Sequence, residues 1–276
     1  METSAHYNAV ALNPPDASTW SKRRTEHNLV KMLMLQWLRS RMNRTVTSVC
    51  DLACGRGGDI HKLASVFPGA AMVCVDSSGD SIQELQRRAQ EMRVRVHAVC
   101  CDVLRYSMQV GKHDMITMNF ALHYFAATKE YMNTLLRNVS LGLRDGGAFA
   151  GTCVDWRTLH NASRAGFHVP PGTLDGLQDC PWGRKYRYVL PGCVDLDECV
   201  VHFPTLVRLA YQHGMHLVKH RSFNGFLHET GASPNVPMVN HNYVVFVFRK
   251  ATSNYREDNC NCVSANACSA EEAHSK

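Results

Sequence analysis

The sequence has no apolar run long enough to cross a membrane. Its longest, Tyr243 to Phe248, falls far short of the roughly 20 residues that a spanning helix needs. Its opening residues carry no secretory signal pattern, so secretion is not expected. That bears on the twelve cysteines, which in a short secreted chain would suggest a disulfide scaffold. Here Cys50, Cys74, Cys100 and Cys101 sit inside apolar runs that read as buried strands, and free buried cysteine behaves as a small hydrophobe. A reducing compartment fits better. In the tail, Cys260, Cys262 and Cys268 form no pair at a standard zinc spacing, and no metal is expected. There is no internal repeat. Charge is not lopsided: a net +6 with 20% charged and 45% hydrophobic residues suits a globular domain and tolerates a polyanionic partner without demanding one.

What is present is alternation. Residues to about Ala17 hold Asn13-Pro14-Pro15-Asp16 and read as an irregular arm. Leu29, Met32, Leu33, Leu35, Trp37 and Leu38 give an amphipathic helix over 28–42. Strand signals follow at 46–52, 71–76, 94–102, 114–120 and 148–153, with helices at 59–67, 81–92 and 129–143. A helix from about Cys199 to His213 precedes strands 215–222 and 243–249. Such spacing implies βαβ units and a parallel sheet. Only a loop is expected between the last two strands, which makes them an antiparallel pair. The expected fold is α/β and doubly wound: a mostly parallel seven-stranded sheet with an antiparallel last strand, a pattern that resembles the class I S-adenosylmethionine-dependent methyltransferase fold. The domain is placed at 18–250, with a Gly-, Pro- and Arg-rich insertion at about 155–197, read as aperiodic. The polar tail 251–276 is expected to be disordered.

Asp51-Leu52-Ala53-Cys54-Gly55-Arg56-Gly57-Gly58-Asp59 follows a strand and opens a helix. Glycines there let the backbone turn sharply and approach a ligand, which open α/β sheets hold beyond the carboxyl ends of their strands. Alone, such a turn is also what any tight βα loop needs. Asp76 ends the second strand, where an acid can bind two ribose hydroxyls. Asp102 ends the third, where it can meet an adenine edge. Three acids at three consecutive strand ends are more than helix caps require, and their order fits S-adenosylmethionine. An NAD enzyme places its strand-two acid similarly and remains a competitor. However, the turn lacks the third glycine of G-x-G-x-x-G.

Five stretches narrow the substrate: Trp20-Ser21-Lys22; Asp51 to Asp59; Asn119-Phe120-Ala121-Leu122-His123-Tyr124; Gly183-Arg184-Lys185-Tyr186 leading to Val194-Asp195-Leu196-Asp197-Glu198; and Tyr243 to Lys250, with His6-Tyr7-Asn8 as a further echo. In these the sequence resembles the eukaryotic and viral messenger-RNA cap guanine-N7 methyltransferases. The resemblance implies that Lys22, Ala53, Gly55, Asp76, Asp102, Asn119 and Tyr124 contact S-adenosylmethionine, with Asp51 orienting its ammonium. It implies that Arg56, Lys62, Arg88, His123, Glu198 and Tyr243 contact the cap. Three departures stand out. Ser18 and Thr19 replace two asparagines, Val154 and Asp155 stand near the place of a proline, and the span from Phe223 to Tyr243 is short, which suggests a smaller cap-covering lobe.

The residue types suit a cap. Arg56, Lys62 and Arg88 offer cations for a triphosphate. Tyr243 offers a ring for stacking, and Glu198, read as starting a helix, offers acceptors for the guanine amino and ring N–H groups. Each also has a plain structural use: the cations as surface charges, His123 and Tyr243 as core, Glu198 as a helix-dipole partner. Methyl transfer to a lone pair needs alignment and a suitable field rather than a base. No acid–base or nucleophilic residue is therefore expected, only positioning by His123, Tyr124 and Glu198. The implied partners are the capped RNA 5′ end and a capping enzyme. The implied setting is a monomer in the nucleus, or in the cytosol if viral. Two other readings stay open: a methyltransferase for a small molecule or another RNA site, and a silent methyltransferase-like subunit that binds RNA or activates a partner.

Overall fold

The computed structural model describes residues 17–161, 166–190, 194–232 and 242–252. Ten strands and six α-helices are described. The main sheet has seven strands in the order β3-β2-β1-β4-β5-β10-β9. These are β1 (Ser48–Leu52), β2 (Ala71–Asp76), β3 (Val96–Cys100), β4 (His113–Asn119), β5 (Leu143–Val154), β9 (Met215–Ser222) and β10 (Tyr243–Lys250). β10 alone is reversed, pairing antiparallel with both β5 and β9, as expected for the last strand.

Helices cover both faces, because the central strands β1, β4, β5 and β10 are buried on two sides and must meet apolar surface above and below. On one face α1 (Ala17–Arg39), α2 (Ile60–Val66) and α6 (Phe223–Glu229) set Val30, Met34, Leu63, Phe223 and Phe226 against Val49, Met72, Val245 and Val247. On the other, α4 (Lys129–Gly142) and α5 (Phe203–Gln212) set Leu135, Leu136 and Leu206 against Cys50, Val73, Ile116 and Phe246. α3 (Gly79–Glu91) packs Leu85 and Ala89 on Cys74. Its start is fixed by Ser78, whose side chain accepts from the Ser81 N–H, a side-chain N-cap. β1 lies between β2 and β4, so the chain leaves its carboxyl end at the crevice where strand order reverses.

Four expectations are corrected. The segment 155–197 is not aperiodic: it contributes to a second, antiparallel sheet of β6 (Phe167–His168), β7 (Lys185–Leu190) and β8 (Val194–Cys199). Glu198 lies on β8 rather than at a helix start, since α5 begins at Phe203, where Pro204 suits a first turn. The span between β9 and β10 is not a plain loop, because α6 occupies its first part, capped by Ser222. Cys100 is exposed, because it ends the edge strand β3, whereas Cys50 and Cys74 are buried. The described cysteines are all free. No described helix is long and apolar enough to cross a membrane. His6 to Asn8 and the tail cysteines lie outside the described residues.

Candidate active site

The glycine turn leaves β1 through three left-handed residues, Ala53 (φ 52°), Gly55 (φ 51°) and Gly57 (φ 72°). Gly57 is required by packing as well, since a Cβ there would stand 2.9 Å from Leu85 Cγ. Gly55 faces open space. Asp76, at the end of β2, closes the turn: one oxygen accepts from the Gly55 N–H at 2.8 Å and the other from the Ser78 N–H at 2.9 Å. Asp102 lies two residues past β3, exposed, with one oxygen accepting from the Leu104 N–H. Asp51 lies one residue before the carboxyl end of β1, only 2% exposed. Its Oδ1 accepts from Thr117 Oγ1 at 2.6 Å, while Oδ2 has no partner. Burial first, and then the nearby Asp59 charge, hold its carboxyl above the ordinary range.

Asp59 is the hub that sequence reasoning missed. Its carboxylate binds Lys31 Nζ at 2.6 Å and Lys62 Nζ at 2.8 Å, and accepts from Asn119 Nδ2 at 3.1 Å. Burial pushes this carboxyl up, but the two ammonium groups outweigh it and leave it below the usual range. Lys62 is thus no free cation: it is 7% exposed and also donates to the Gly58 carbonyl at 2.6 Å. Arg88 is likewise engaged, donating to Glu84 at 2.7 Å on α3. Arg56, half-buried in the turn, has no ion-pair partner among the described residues. Of the three expected phosphate cations, the geometry leaves Arg56 alone unpaired. Lys22 falls on α1, with its side chain outside the described residues.

Beyond β4 the chain makes a second sharp turn. Phe120 adopts φ 54°, a strained choice for a bulky residue, held by its N–H to the Thr152 carbonyl at 2.8 Å. The strain sets its ring 5.2 Å from that of Tyr243 and 4.8 Å from His27. Tyr243, 5% exposed, also packs on Phe223 and Phe167, and its hydroxyl lies 3.4 Å from that of Tyr188. The 3₁₀ turn Leu122–Phe125 then presents His123 and, half-buried beside it, Tyr124, with ring centroids 4.0 Å apart.

His123 Nε2 is buried without a hydrogen-bond partner and stands 3.7 Å from Glu198 Oε1. Burial lowers the His123 pKa, against the pull of Glu198, so the ring is neutral near pH 7. Glu198, 7% exposed, accepts a 2.6 Å hydrogen bond from the Tyr186 hydroxyl. The two sheets thus bring together a carboxylate, a neutral imidazole and an aromatic wall. Tyr186 holds the carboxylate and was not singled out as a site residue. Its signal was there, in the in–out alternation of Lys185-Tyr186-Arg187-Tyr188.

Comparison with known proteins names the group. Residues 3–268 match the model of the mRNA (guanine-N(7))-methyltransferase domain. The chain belongs to that family. An mRNA cap guanine-N(7) methyltransferase of Drosophila melanogaster is 28% identical over 228 residues, covering 73% of this chain and 53% of the fly protein. The Saccharomyces cerevisiae enzyme of the same name is 28% identical over 236 residues, covering 74% of this chain and 53% of its own. This cap-methyltransferase-family chain therefore spans about half the length of such relatives.

Solved structures share its fold at low identity. Magnesium protoporphyrin IX methyltransferase from Synechocystis PCC 6803, solved with bound SAH, superposes with a TM-score of 0.58 at 14% identity, covering 91% of this chain and 94% of its own. An S-adenosylmethionine-dependent methyltransferase from Clostridium acetobutylicum reaches 0.55 at 11% identity, covering 91% and 98%. The cap-methyltransferase-family chain has the class I methyltransferase fold.

Proposed function

We propose that this chain transfers the methyl group of S-adenosylmethionine to N7 of the guanine cap of RNA. One observation carries the choice of substrate. Glu198 is a nearly buried carboxylate with no cation bonded to it among the described residues; it is pinned by Tyr186 and faces His123. A carboxylate so placed can accept from the amino and ring N–H groups of guanine, which adenine cannot match. Its charge also favours a base that becomes cationic as the methyl arrives.

Three features of the crevice fit the cofactor. Gly55 and Gly58 leave open space beyond the backbone. Asp51 Oδ2 is a buried acceptor without a partner, suited to an ammonium group. Asp76, oriented by two backbone N–H groups, keeps lone pairs for ribose hydroxyls. Ala53, Asn119 and Tyr124 complete the cofactor side in this reading, with Asp102 at the adenine edge and Lys22 at the start of α1. When bound, S-adenosylmethionine supplies an electrophilic methyl on a sulfonium, and the N7 lone pair accepts it. The chain moves no proton. Asp51 and Asp76 fix one reactant, while Glu198, neutral His123 and the Tyr243–Phe120 wall fix the other. Alignment of that kind is worth on the order of 7–11 kcal/mol.

Arg56 serves the triphosphate in this reading; Lys62 supports the site through Asp59. The catalytic unit is placed at 18–250, between an arm and a tail into which the family match extends. The partners are the capped 5′ end and an upstream capping enzyme, and the chain acts as a monomer in the nucleus, or in the cytosol if viral. The test is incubation with capped RNA and methyl-labelled S-adenosylmethionine, followed by digestion and mapping of the labelled atom. Label on N7 of the cap guanine supports the proposal. Label elsewhere, or on a small molecule only, overturns it.

A further inference from the structure

A cavity of about 620 Å³ lies at the opposite end of the main sheet from Asp51 and Asp76. It is a groove where the chain enters β2 and β3, within the size range of ligand sites. Its floor is apolar, with Ala64, Met72 and Val96, and its rim carries Arg93, Arg95 and His97. No acidic residue lines it. β3 is the sheet edge, so the rim stands on backbone that no other strand covers.

Two observations set these cations apart. First, apart from Arg56 in the glycine turn, the cations named nearer the site are neutralised: Lys31 and Lys62 by Asp59, Arg88 by Glu84. Arg93 and Arg95 are exposed, and neither has an ion pair among the described residues. Second, Arg93 sits where a glycine belongs. α3 ends in a Schellman cap, with the Val94 N–H donating to the Ala89 carbonyl at 2.9 Å and the Arg93 N–H to the Gln90 carbonyl at 3.0 Å. The residue that turns out of such a cap is left-handed and usually glycine, and Arg93 has φ 55°. An arginine there works against local stability, so the guanidinium is not present for the fold's sake.

We infer that this groove is a second RNA subsite, which holds the single-stranded transcript downstream of the cap by its phosphates. The inference rests on the reading that the substrate is capped RNA. Arg93 and Arg95 pair with backbone phosphates, as guanidinium groups do. The apolar floor and the His97 ring accommodate bases without reading them. Charge complementarity favours a polyanion, and an extended nucleic-acid strand suits a groove along a sheet edge. The cap alone cannot occupy both ends of the sheet, so the groove acts only on transcripts long enough to pass round β3.

The test compares the full chain with its Arg93→Gly/Arg95→Ser variant. Glycine relieves the left-handed position, so the variant should fold with an unchanged or raised Tm. Two substrates are used, a capped RNA of about 25 nucleotides and a cap dinucleotide, the longer one exceeding a single-strand site of roughly 4–16 nucleotides. The inference expects KM for the long RNA to rise about tenfold and the salt slope of its binding to fall by about 1.4, roughly 0.7 per lost phosphate contact. KM for the dinucleotide stays put. Equal changes for both substrates, or none for the long RNA, overturn the subsite. Unchanged RNA binding with lost binding of a polyglutamate peptide overturns it too, and gives the groove to an acidic protein. If the wild type methylates neither substrate, the proposed function fails instead, and fluorescence anisotropy with the same RNA still decides the groove.

Discussion

The Tyr186 hydroxyl donates to Glu198 at 2.6 Å, tying two adjacent strands of the small sheet into one binding surface. Both residues are buried, and burial, reinforced by Glu198, keeps the phenol pKa well above its ordinary value. The phenol therefore remains a donor at any working pH. Tyr186→Phe removes that donor while keeping the ring. Loss of one charge-assisted hydrogen bond should cut kcat/KM for capped RNA by roughly three- to thirtyfold, about 0.7–2 kcal/mol, with unchanged affinity for S-adenosylmethionine. A variant that loses cofactor binding equally would make Tyr186 a fold residue and not a positioning one.

Asp59 joins α1, α2 and β4 through Lys31, Lys62 and Asn119. Asp59→Asn leaves two poorly exposed ammonium groups without their counter-charge. Breaking a buried pair from one side costs about 3–5 kcal/mol, so the urea midpoint should fall steeply. Lys62→Met should cost much less, because Lys31 still pairs with the acid, and should leave the salt slope of RNA binding intact. A slope that falls with Lys62→Met would return this lysine to the triphosphate.

Asp76 binds the turn before any ligand arrives, through Gly55 and Ser78. Asp76→Ala should weaken S-adenosylmethionine binding by about 1–3 kcal/mol, roughly five- to 150-fold, as read by calorimetry. Unchanged affinity in a folded variant would remove Asp76 from the cofactor site.

Buried and half-buried histidines set the acid limit of stability. Burial, chiefly, lowers the pKa of His27 from 6.5 to about 3, and those of His113 and His220 to about 4. His113 is fixed at 2.9 Å from Ser48 Oγ and His220 is stacked on Phe203. In the unfolded chain all three protonate near 6.5, so between 6.5 and about 4 the unfolded state binds more protons than the folded one. The contribution of these three rings is therefore whole above 6.5 and declines as pH falls through that window, and it outnumbers the opposite contribution of Asp51, whose carboxyl is raised to about 7. Thermal melts from pH 7.5 to 4 should show a Tm that is flat at first and then drops. A Tm that rises on acidification would mean these rings are charged in the fold.

Much of the frame was legible. Ala71–Asp76 and Met215–Ser222 match β2 and β9 to the residue, because turn residues bound them, Gly69 before the first and Gly214 before the second. The antiparallel last pair was read from the lack of a helical pattern between the two strands, although α6 intervenes. That helix has seven residues around Gly225, too few for periodicity to register. The small sheet was hidden by its Gly- and Pro-rich surroundings, despite the alternation in β7. In the site, the acids at strand ends were visible because their spacing is local. The Asp59–Lys31 and Tyr186–Glu198 contacts were not: the first depends on helix packing, and the second on the register in which β7 and β8 pair.

Guanine selection by Glu198 is the central claim, and one comparison tests it most directly. Initial rates are measured for wild type and Glu198→Gln on RNA capped with guanosine and on RNA capped with inosine, which lacks the 2-amino donor. The account predicts that wild type prefers guanosine by about tenfold or more, one hydrogen bond to a charged acceptor being worth about 1.5–3 kcal/mol. It predicts that Glu198→Gln lowers kcat/KM for the guanosine cap by about ten- to a thousandfold and erases most of that preference, with S-adenosylmethionine affinity unchanged. An undiminished preference for guanosine in Glu198→Gln, at near wild-type rate, would contradict it.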